Sequence, residues 1–357
     1  MTPRMYDSFM SESRTGAADC HLLVADLFPG GGAGAASCRG LALPALETLL
    51  ARGERVSRPG VSLEEWLAVE FGVTSHLAAA SLRGEGIEPG SACWLRADPV
   101  HLRADRDRVL LADATCFEID GTEAAPLIAA LNGHFAEDGL EFVAPAPQRW
   151  YVRASEEARV RTTPTPEIRG RGIDGYLPEG VDGARWRRIG NEAQMLLHGH
   201  PCNEAREARG ALPVNGVWFW GAGRMSEVAC DTAYGAVWTS HPLAAGLAAG
   251  AGLQVHSLPH SGEQWLESAA GRTGKPQLVV LHGLREALGI GVPSWQRALE
   301  ELGTVWIGPL LDGLRSGTLQ ALTLHGLGPE RTCLVRATRY SLLKFWRRRR
   351  SLDDYAS

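Results

Sequence analysis

The chain has 357 residues, 45% of them hydrophobic and 22% charged, a composition typical of a globular protein with one large domain or two ordinary ones. Its formal net charge of −5 provides no general attraction to nucleic acid, so we expect no nucleic-acid partner. The seven cysteines include no C-x-x-C pair, which argues against a zinc ribbon or a redox pair. No apolar run is long enough for a membrane span, and residues 1–19 do not resemble a signal peptide. We therefore expect a cytoplasmic protein with a disordered leader at 1–19.

A short buried strand is predicted at residues 21–28, before a glycine-rich turn and a helix at 43–52. From the residues alone, Asp26 near the strand end is interpreted as the cap of a turn. Ser62 is followed three residues later by Glu65, which is the pattern of a helix N-cap. We therefore assign no nucleophilic serine in this region.

A β-β-α-β-β order is predicted between residues 76 and 153. Strands at 94–98 and 108–112 flank a turn, a helix covers 122–135, and strands follow at 140–143 and 149–153. Several arginines lie in or beside these strands, and a planar guanidinium can bind phosphate or carboxylate oxygens in a bidentate manner. The alternative, which we favour for any single arginine, is a solvated ion pair with a nearby aspartate. The arginines considered are Arg96, Arg103, Arg106, Arg149 and Arg153.

The segment 191–224 is predicted to form a helix, a polar loop, a strand and a glycine turn. The helix at 191–198 ends before Pro201, and the polar segment 203–209 follows it. The strand at 217–220 is rich in tryptophan, and Arg224 lies where this strand emerges into a loop. Ligands of open α/β sheets bind at such strand ends.

The remaining chain is predicted to form a parallel sheet. Strands at 236–240 and 253–258 flank a helix of small residues, which is a β-α-β unit. The continuously apolar strand at 278–282 is typical of a sheet covered on both faces. A helix at 295–314 and a strand at 320–325 follow.

The segment 342–350 is apolar and then strongly basic. One interpretation is a contact with an anionic membrane surface or nucleic acid. The other, which we favour, is a final helix that buries Leu343 and Trp346, followed by a solvated basic tail at 347–357.

One segment carries a family resemblance. The pattern H-P-x-N-x-x-R-x-x-x-G-x-x-P-x-N at 200–215, followed by W-F-W-G-A-G-R at 218–224, resembles the archaeal-type cofactor-independent phosphoglycerate mutases of the alkaline-phosphatase-like superfamily. The resemblance implies an α/β fold, with an alkaline-phosphatase-like, mostly parallel sheet core and an inserted smaller α+β domain. The core would comprise 20–75 and 213–346, and the insert with its linker 76–212.

The resemblance also implies a site. In these mutases, arginines of the insert bind the substrate's phosphate and carboxylate, and metal ions activate a serine. The candidate ligand-binding residues are Arg96, Arg106, Arg153, His200, Asn203, Arg206, Asn215 and Arg224. The family's D-E-A-G-H and D-H metal segments correspond here to R-E-A-L-G-I at 285–290 and L-H at 324–325. The residues near these positions that could still bind a metal ion are Asp26, Glu286 and His325, with His282 as a further candidate.

Two functions follow from this incomplete set of ligands. The first is a non-catalytic protein similar to bacterial regulatory proteins of the RpfE type, which binds a phosphorylated small metabolite or a protein partner and needs no cofactor. The second is an active metal-dependent mutase or phosphatase with a rebuilt site that uses Mn²⁺ or Mg²⁺. The lost ligands favour the first, because a serine without metal has no activation.

Overall fold

The structure is a computed structural model that describes residues 18–30, 38, 40–225, 232–269 and 274–356. Most of the leader predicted at 1–19 lies outside the described residues, and Ala18 and Asp19 begin the first strand. The strands are β1 Ala18–Val24, β2 Glu54–Val61, β3 Cys93–Asp105, β4 Arg108–Asp113, β5 Leu140–Ala146, β6 Arg149–Ala154, β7 Gly216–Arg224, β8 Ala236–Thr239, β9 Gln254–His256, β10 Gln277–Leu281, β11 Leu319–Gly326 and β12 Gly328–Thr338.

The helices alternate with these strands over much of the chain. They are α1 Pro44–Arg52, α2 Leu63–Glu70, α3 Leu77–Gly84, α4 Gly121–Phe135, α5 Thr165–Ile168, α6 Gly183–His198, α7 Pro201–Ala208, α8 Pro242–Gly250, α9 Gly262–Ala269, α10 Gly283–Ile290, α11 Val292–Glu301, α12 Gly308–Ser316, α13 Arg339–Leu342 and α14 Asp353–Ala356. A 3₁₀ turn covers Asp174–Tyr176 and a π-helical segment covers Leu302–Ile307. No helix in the described part of the chain is long and apolar enough to cross a membrane.

The chain divides into two compact units. Unit 1 comprises 1–71 and 229–357, and unit 2 comprises 72–228. The sheet of unit 1 has the strand order β2-β12-β11-β1-β10-β8-β9. The five strands from β11 to β9 run parallel, and β12 and β2 add an antiparallel edge. This confirms the predicted α/β class with a mostly parallel sheet.

The core of unit 1 follows from strands that are apolar on both faces. Every residue of β10 is buried, as its continuous apolar run predicted. The strands β8 and β9 pair in parallel around α8, whose small residues allow close packing on the sheet. The helix predicted at 295–314 is divided by the π-helical segment, which ends before Pro309. Proline cannot donate to the carbonyl four residues earlier, so the regular ladder is interrupted there.

Unit 2 has a separate antiparallel sheet of order β4-β3-β6-β5, with β7 also paired to β3. The helices α4 and α6 cover one face, and the core between them includes Phe135, Trp150, Trp186 and Phe219. The two strand pairs and the helix predicted between 94 and 153 are all present.

Strand β7 corrects the expectation that the core resumes at residue 213. It pairs with β3 in the sheet of unit 2. Val217 and Phe219 point into one cluster of that unit, and Trp218 and Trp220 into another. Both faces of β7 are therefore covered, which gave it the sequence pattern of a buried core strand.

Three further segments differ from the expectation. The polar segment 203–209 is largely helical, as part of α7. An edge strand, β2, precedes the helix that Ser62 caps, where no strand was predicted. At the C-terminal end, Leu343 and Trp346 are exposed, whereas Leu352 and Tyr355 are buried, so 347–357 is not simply a solvated tail.

Candidate functional site

Three parallel strands of unit 1 end beside one another at the carboxyl edge of the sheet. Asp26 follows β1 and adopts a left-handed backbone conformation with φ of 54°. Its carbonyl oxygen accepts a hydrogen bond from Trp295 Nε1 at 3.0 Å, which fixes this turn. His282 follows β10, and His241 lies shortly after β8. Such an edge is where ligands of open α/β sheets bind.

Arg285, in the first turn of α10, connects two carboxylates at this edge. Its Nε donates to Asp26 Oδ2 at 2.9 Å, and its Nη1 donates to Glu64 Oε1 at 2.6 Å. Burial alone would lower the pKa of Arg285, but the carboxylates of Glu64 and Asp26 raise it above its ordinary value. The guanidinium therefore stays charged, and the chain itself supplies a cation to these two acids.

Glu286 and His282 form a separate pair. His282 Nε2 lies 3.3 Å from Glu286 Oε1, and the Glu286 side chain is largely exposed. The His282 ring packs edge-on against His241, with ring centroids 5.1 Å apart. The contact described for Glu286 is thus with a histidine one helical turn away.

His325 lies within β11, in an aromatic cluster. Its Nε2 is 3.1 Å from His21 Nδ1, and its ring lies edge-on to Trp66. Burial lowers the pKa of His21 to about 3, and burial lowers that of His325 well below its usual value. Both rings are neutral near pH 7. They are neighbours in the sheet and lie on the paired strands β1 and β11.

The residues do not fit a site for two metal ions. Among the described residues, no group of three or more His, Cys, Asp or Glu side chains is placed to hold a metal. Asp26, Glu286 and His325 each have a different partner, and the carboxylates of Asp26 and Glu64 are joined by a guanidinium. Two metal ions require several such ligands around each ion.

In unit 2, the segment that carries the family resemblance holds its own loop in place. His200 is the N-cap of α7 and accepts from Cys202 N at 3.2 Å, with Pro201 in the first turn. Asn203 is buried and makes three hydrogen bonds with the backbone of Leu197 and Val214, at 2.7 to 2.9 Å. These side chains join the end of α6 to the approach to β7.

Arg206 and Asn215 complete this arrangement. Arg206 is fully buried, pairs with Glu123 at 2.5 Å and donates to two backbone carbonyls. The Asn215 side-chain amide bonds both backbone groups of Leu102 in β3, at 2.7 and 2.9 Å. The amide thus acts like an additional strand residue. Four of the eight candidate ligand-binding residues, including His200 and Asn203, have contacts that stabilise the fold.

The three candidates between residues 94 and 153 differ in their surroundings. Arg96 is buried and donates twice to Asp98 Oδ1, at 2.9 and 2.6 Å. Arg153 pairs with Glu141 at an exposed position. Arg106 is exposed in the turn between β3 and β4 and has a positive φ of 56°.

Arg224 lines a cavity of about 480 Å³ in unit 2. The polar residues around this cavity are Ser75, His76, Glu157, Arg159, Arg161 and Arg224. Arg159 and Arg161 each pair with an acid, at 3.4 and 2.7 Å, and keep most of their side chains exposed. Burial lowers the pKa of His76, so the positive charge of the cavity comes from its three arginines.

Sequence reasoning missed Glu64, Arg285, Arg159 and Arg161. A signal existed for Arg285, since it stands at the first position of the segment that corresponds to D-E-A-G-H. No signal marked Glu64, which is distant in sequence, or the two linker arginines, which meet Arg224 only through the fold.

The curated proteins that are similar to this chain share one description. No protein-family model matches the chain. It is 30% identical over 187 residues to a probable 2,3-bisphosphoglycerate-independent phosphoglycerate mutase of Geobacter sulfurreducens, covering 51% of this chain and 46% of the relative. Mutases of the same name from Methanosarcina mazei and Methanothrix thermoacetophila are 28% and 33% identical, covering 50% and 43% of this chain and 48% and 43% of theirs. The chain thus spans about half the length of the curated relatives it matches.

Two solved structures are similar over most of the chain. A protein from Pyrococcus horikoshii matches with a TM-score of 0.52 at 12% identity, covering 90% of this chain and 88% of its own. A cofactor-independent phosphoglycerate mutase from Thermoplasma acidophilum gives a TM-score of 0.48 at 17% identity, covering 95% of both chains. The resemblance predicted from 200–224 is confirmed at the level of homology, since the relatives at about 30% identity are 2,3-bisphosphoglycerate-independent phosphoglycerate mutases, and the chain has a mostly parallel α/β core.

Proposed function

We propose that this phosphoglycerate mutase-like chain is non-catalytic and binds a phosphorylated small metabolite, in a regulatory role of the RpfE type. The observation that carries the proposal is the position of Arg285 between Asp26 and Glu64. At the strand edge where a metal-dependent enzyme needs free carboxylates, this chain has a buried guanidinium bonded to both.

The electrostatic cost of displacing Arg285 supports this proposal. A metal ion that bound Asp26 and Glu64 would separate the buried guanidinium from both of these carboxylates, at a cost of about 3–5 kcal/mol. The protein would then need additional ligands, and Glu286 and His325 have other contacts. Ser62 is used as a helix cap, since its Oγ accepts from Glu65 N at 3.1 Å.

The metabolite is assigned from the cavity of unit 2. Arg159, Arg161 and Arg224 offer guanidinium groups around a space of about 480 Å³. Such groups bind phosphate and carboxylate oxygens in a bidentate manner. Since the relatives are named phosphoglycerate mutases, a phosphorylated three-carbon acid is the first ligand to test.

A coupled mutase assay tests the loss of catalysis. Chelator-treated protein, shown to be folded by circular dichroism, is supplied with 3-phosphoglycerate and with Mn²⁺ or Mg²⁺. We expect no turnover with either ion. Turnover that returns with metal would contradict the proposal and support the alternative function, an active metal-dependent mutase or phosphatase with a rebuilt site.

Calorimetric titration with 3-phosphoglycerate tests the binding function separately. We expect Arg224→Ala to weaken binding about tenfold, because a charge-assisted hydrogen bond contributes about 1.5–3 kcal/mol. Arg103→Ala is the matched control, since Arg103 is exposed on β3 and does not line the cavity. Absence of binding by the unmodified protein, or equal losses in both variants, would refute the assignment of the cavity.

A further inference from the structure

A continuous surface of unit 1 combines exposed apolar and basic side chains. We call residues 339–350 the basic–aromatic surface. Tyr340, Leu343, Phe345 and Trp346 are between 63% and 77% exposed. Large, mainly apolar side chains are buried on average in globular proteins, and here four exposed ones occur within seven residues.

Buried residues hold this surface in place. Leu342, within the surface, and Leu352, just after it, are 7% and 1% exposed and belong to the core of unit 1. Arg347 Nη1 donates to Gly53 O at 3.3 Å, and Arg331 Nη1 donates to Tyr355 O at 2.8 Å. The exposed side chains therefore lie in a segment that is fixed at both ends.

The charge of the surface is positive and largely uncompensated. Arg339, Lys344, Arg348, Arg349 and Arg350 form no salt bridge with any part of the chain that the structure describes. A cavity of about 730 Å³ adjoins them and is lined by Arg55, Arg347, Arg348, Arg350 and a single acid, Glu54, with Trp346 also lining it.

We propose that the basic–aromatic surface docks the protein onto an anionic phospholipid membrane. Leu343, Phe345 and Trp346 would enter the interfacial layer, where tryptophan and other large apolar side chains are stabilised. The arginines would lie at the level of the phosphates, and the arginine-lined cavity would accept a headgroup. Clusters of four to eight basic residues recognise anionic lipids in this way.

The apolar side chains favour a membrane over nucleic acid. A phosphate backbone attracts arginines but leaves an aliphatic side chain such as Leu343 in water, whereas a membrane interface removes it from water. The docking is independent of the proposed metabolite binding.

Vesicle flotation of the full-length protein tests the docking. We expect binding to vesicles of phosphatidylcholine with phosphatidylserine, little binding to phosphatidylcholine alone, and loss of binding as salt shortens the Debye length below about 10 Å. Arg348→Glu with Arg350→Glu should weaken binding by about 5-fold or more for each reversal. Phe345→Ser with Trp346→Ser should weaken it while leaving the salt dependence in place.

Two variants serve as controls. Arg297→Glu reverses an exposed charge on α11 in the same unit, and Met195→Ala removes an exposed apolar side chain of unit 2. Both should bind vesicles like the unmodified protein. The proposal is overturned if the protein ignores anionic vesicles, if it binds labelled duplex DNA in preference to them, or if the control variants lose as much binding. Displacement by inorganic phosphate beyond that caused by sodium chloride of equal ionic strength would assign the cavity to free phosphate and would also overturn it.

Discussion

At the scale of single residues, Arg285 determines what the strand-end site can do. A guanidinium bound to two carboxylates offsets one of their two negative charges, but unlike a bound metal ion it is covalently attached and has no open coordination position. A metal ion can bind and polarise a ligand at such a position and can exchange that ligand for another, whereas the guanidinium can do neither.

Replacing Arg285 should leave the carboxylates of Asp26 and Glu64 without its positive charge. We expect Arg285→Ala to destabilise the protein by about 3–5 kcal/mol, because buried Glu64 and half-buried Asp26 would lose the counter-charge of the guanidinium. Added Mn²⁺ should recover part of this loss in urea unfolding. It should not do so in the unmodified protein or when Asp26→Asn and Glu64→Gln are added to the variant. Equal stabilisation of the unmodified protein by Mn²⁺ would show that Arg285 does not exclude metal.

His21 and His325 should make the protein sensitive to acid. The pKa of His21 is lowered to about 3, and that of His325 is well below 6.5, in both cases chiefly by burial. Between pH 6.5 and about 3 the unfolded chain therefore binds more protons than the folded one, and stability falls as the pH falls, by up to about 1.4 kcal/mol per pH unit for each histidine. Urea unfolding across this range should show a shallower decline for His21→Gln with His325→Gln. His134→Gln, at an exposed position, should leave the decline unchanged.

At the scale of elements, the segment from α7 to β7 connects parts of unit 2. Asn203 and Arg206 reach the backbone at the end of α6 and the loop before β7, and Asn215 reaches β3. A sequence pattern of this length can identify relatives even though its residues have structural contacts. The hydrogen bonds within unit 2 are a sufficient reason for this pattern to be present, and no contact with a ligand is needed to explain it.

Removal of the Asn203 side chain should therefore lower the free energy of unfolding and leave the affinity for a ligand unchanged. We expect Asn203→Ala to lower the free energy of unfolding by about 1–3 kcal/mol, because the buried backbone N–H and carbonyl of Val214 would lose the Asn203 amide as their partner. Glu204→Ala, at an exposed position of the same helix, should change it by less than about 0.5 kcal/mol. Titration with 3-phosphoglycerate should give equal affinities for both variants. A selective loss of affinity in Asn203→Ala would return this residue to the ligand site.

The sequence predicted most elements but could not assign each one to its unit. Periodicity and turn residues located β8, α8 and β10, because each buries its own apolar side chains in a regular order. Periodicity could not assign β7 to one of the two sheets. A strand that is buried on both faces has the same apolar pattern in the sheet of unit 1 as in that of unit 2. Nor could the sequence show that Leu352, rather than Trp346, is the buried residue near the C-terminal end, because both are large apolar residues in a strongly polar segment.

The candidate site was predictable only in part for a similar reason. Asp26 and His282 were recognised through the family resemblance, which implies metal ligands at the ends of strands. Glu64 was not, since its role depends on α2 meeting α10 across more than two hundred residues of sequence. Partners of buried charges are set by tertiary structure, and a single sequence contains no local trace of them.

At the scale of the whole molecule, each unit has its own sheet and its own core. The clusters of unit 2 are built entirely from residues between 72 and 228, and the large cluster of unit 1 uses none of these. Domains with separate cores can in general fold alone.

A fragment of residues 72–228 should therefore fold by itself. We expect a cooperative urea transition and a near-ultraviolet circular dichroism signal from its buried tryptophans, Trp150 and Trp186. The matched control is a fragment of 72–212, which lacks β7 and with it a strand paired to β3. It should show no cooperative transition. Equal behaviour of the two fragments would show that β7 is dispensable for this core.

The first and last segments of unit 2 touch one another. His76 N donates to Ala222 O at 3.0 Å, and a Cβ atom on Gly223 would lie within 2.9 Å of the His76 backbone. Only glycine allows this approach, in a conformation with φ of 150° that other residues avoid. A stretch of gene that encodes such a unit can enter a single loop of a host protein without separating the ends of that loop. Neighbouring ends thus make this half of the molecule a cassette that recombination could acquire, lose or exchange in one event.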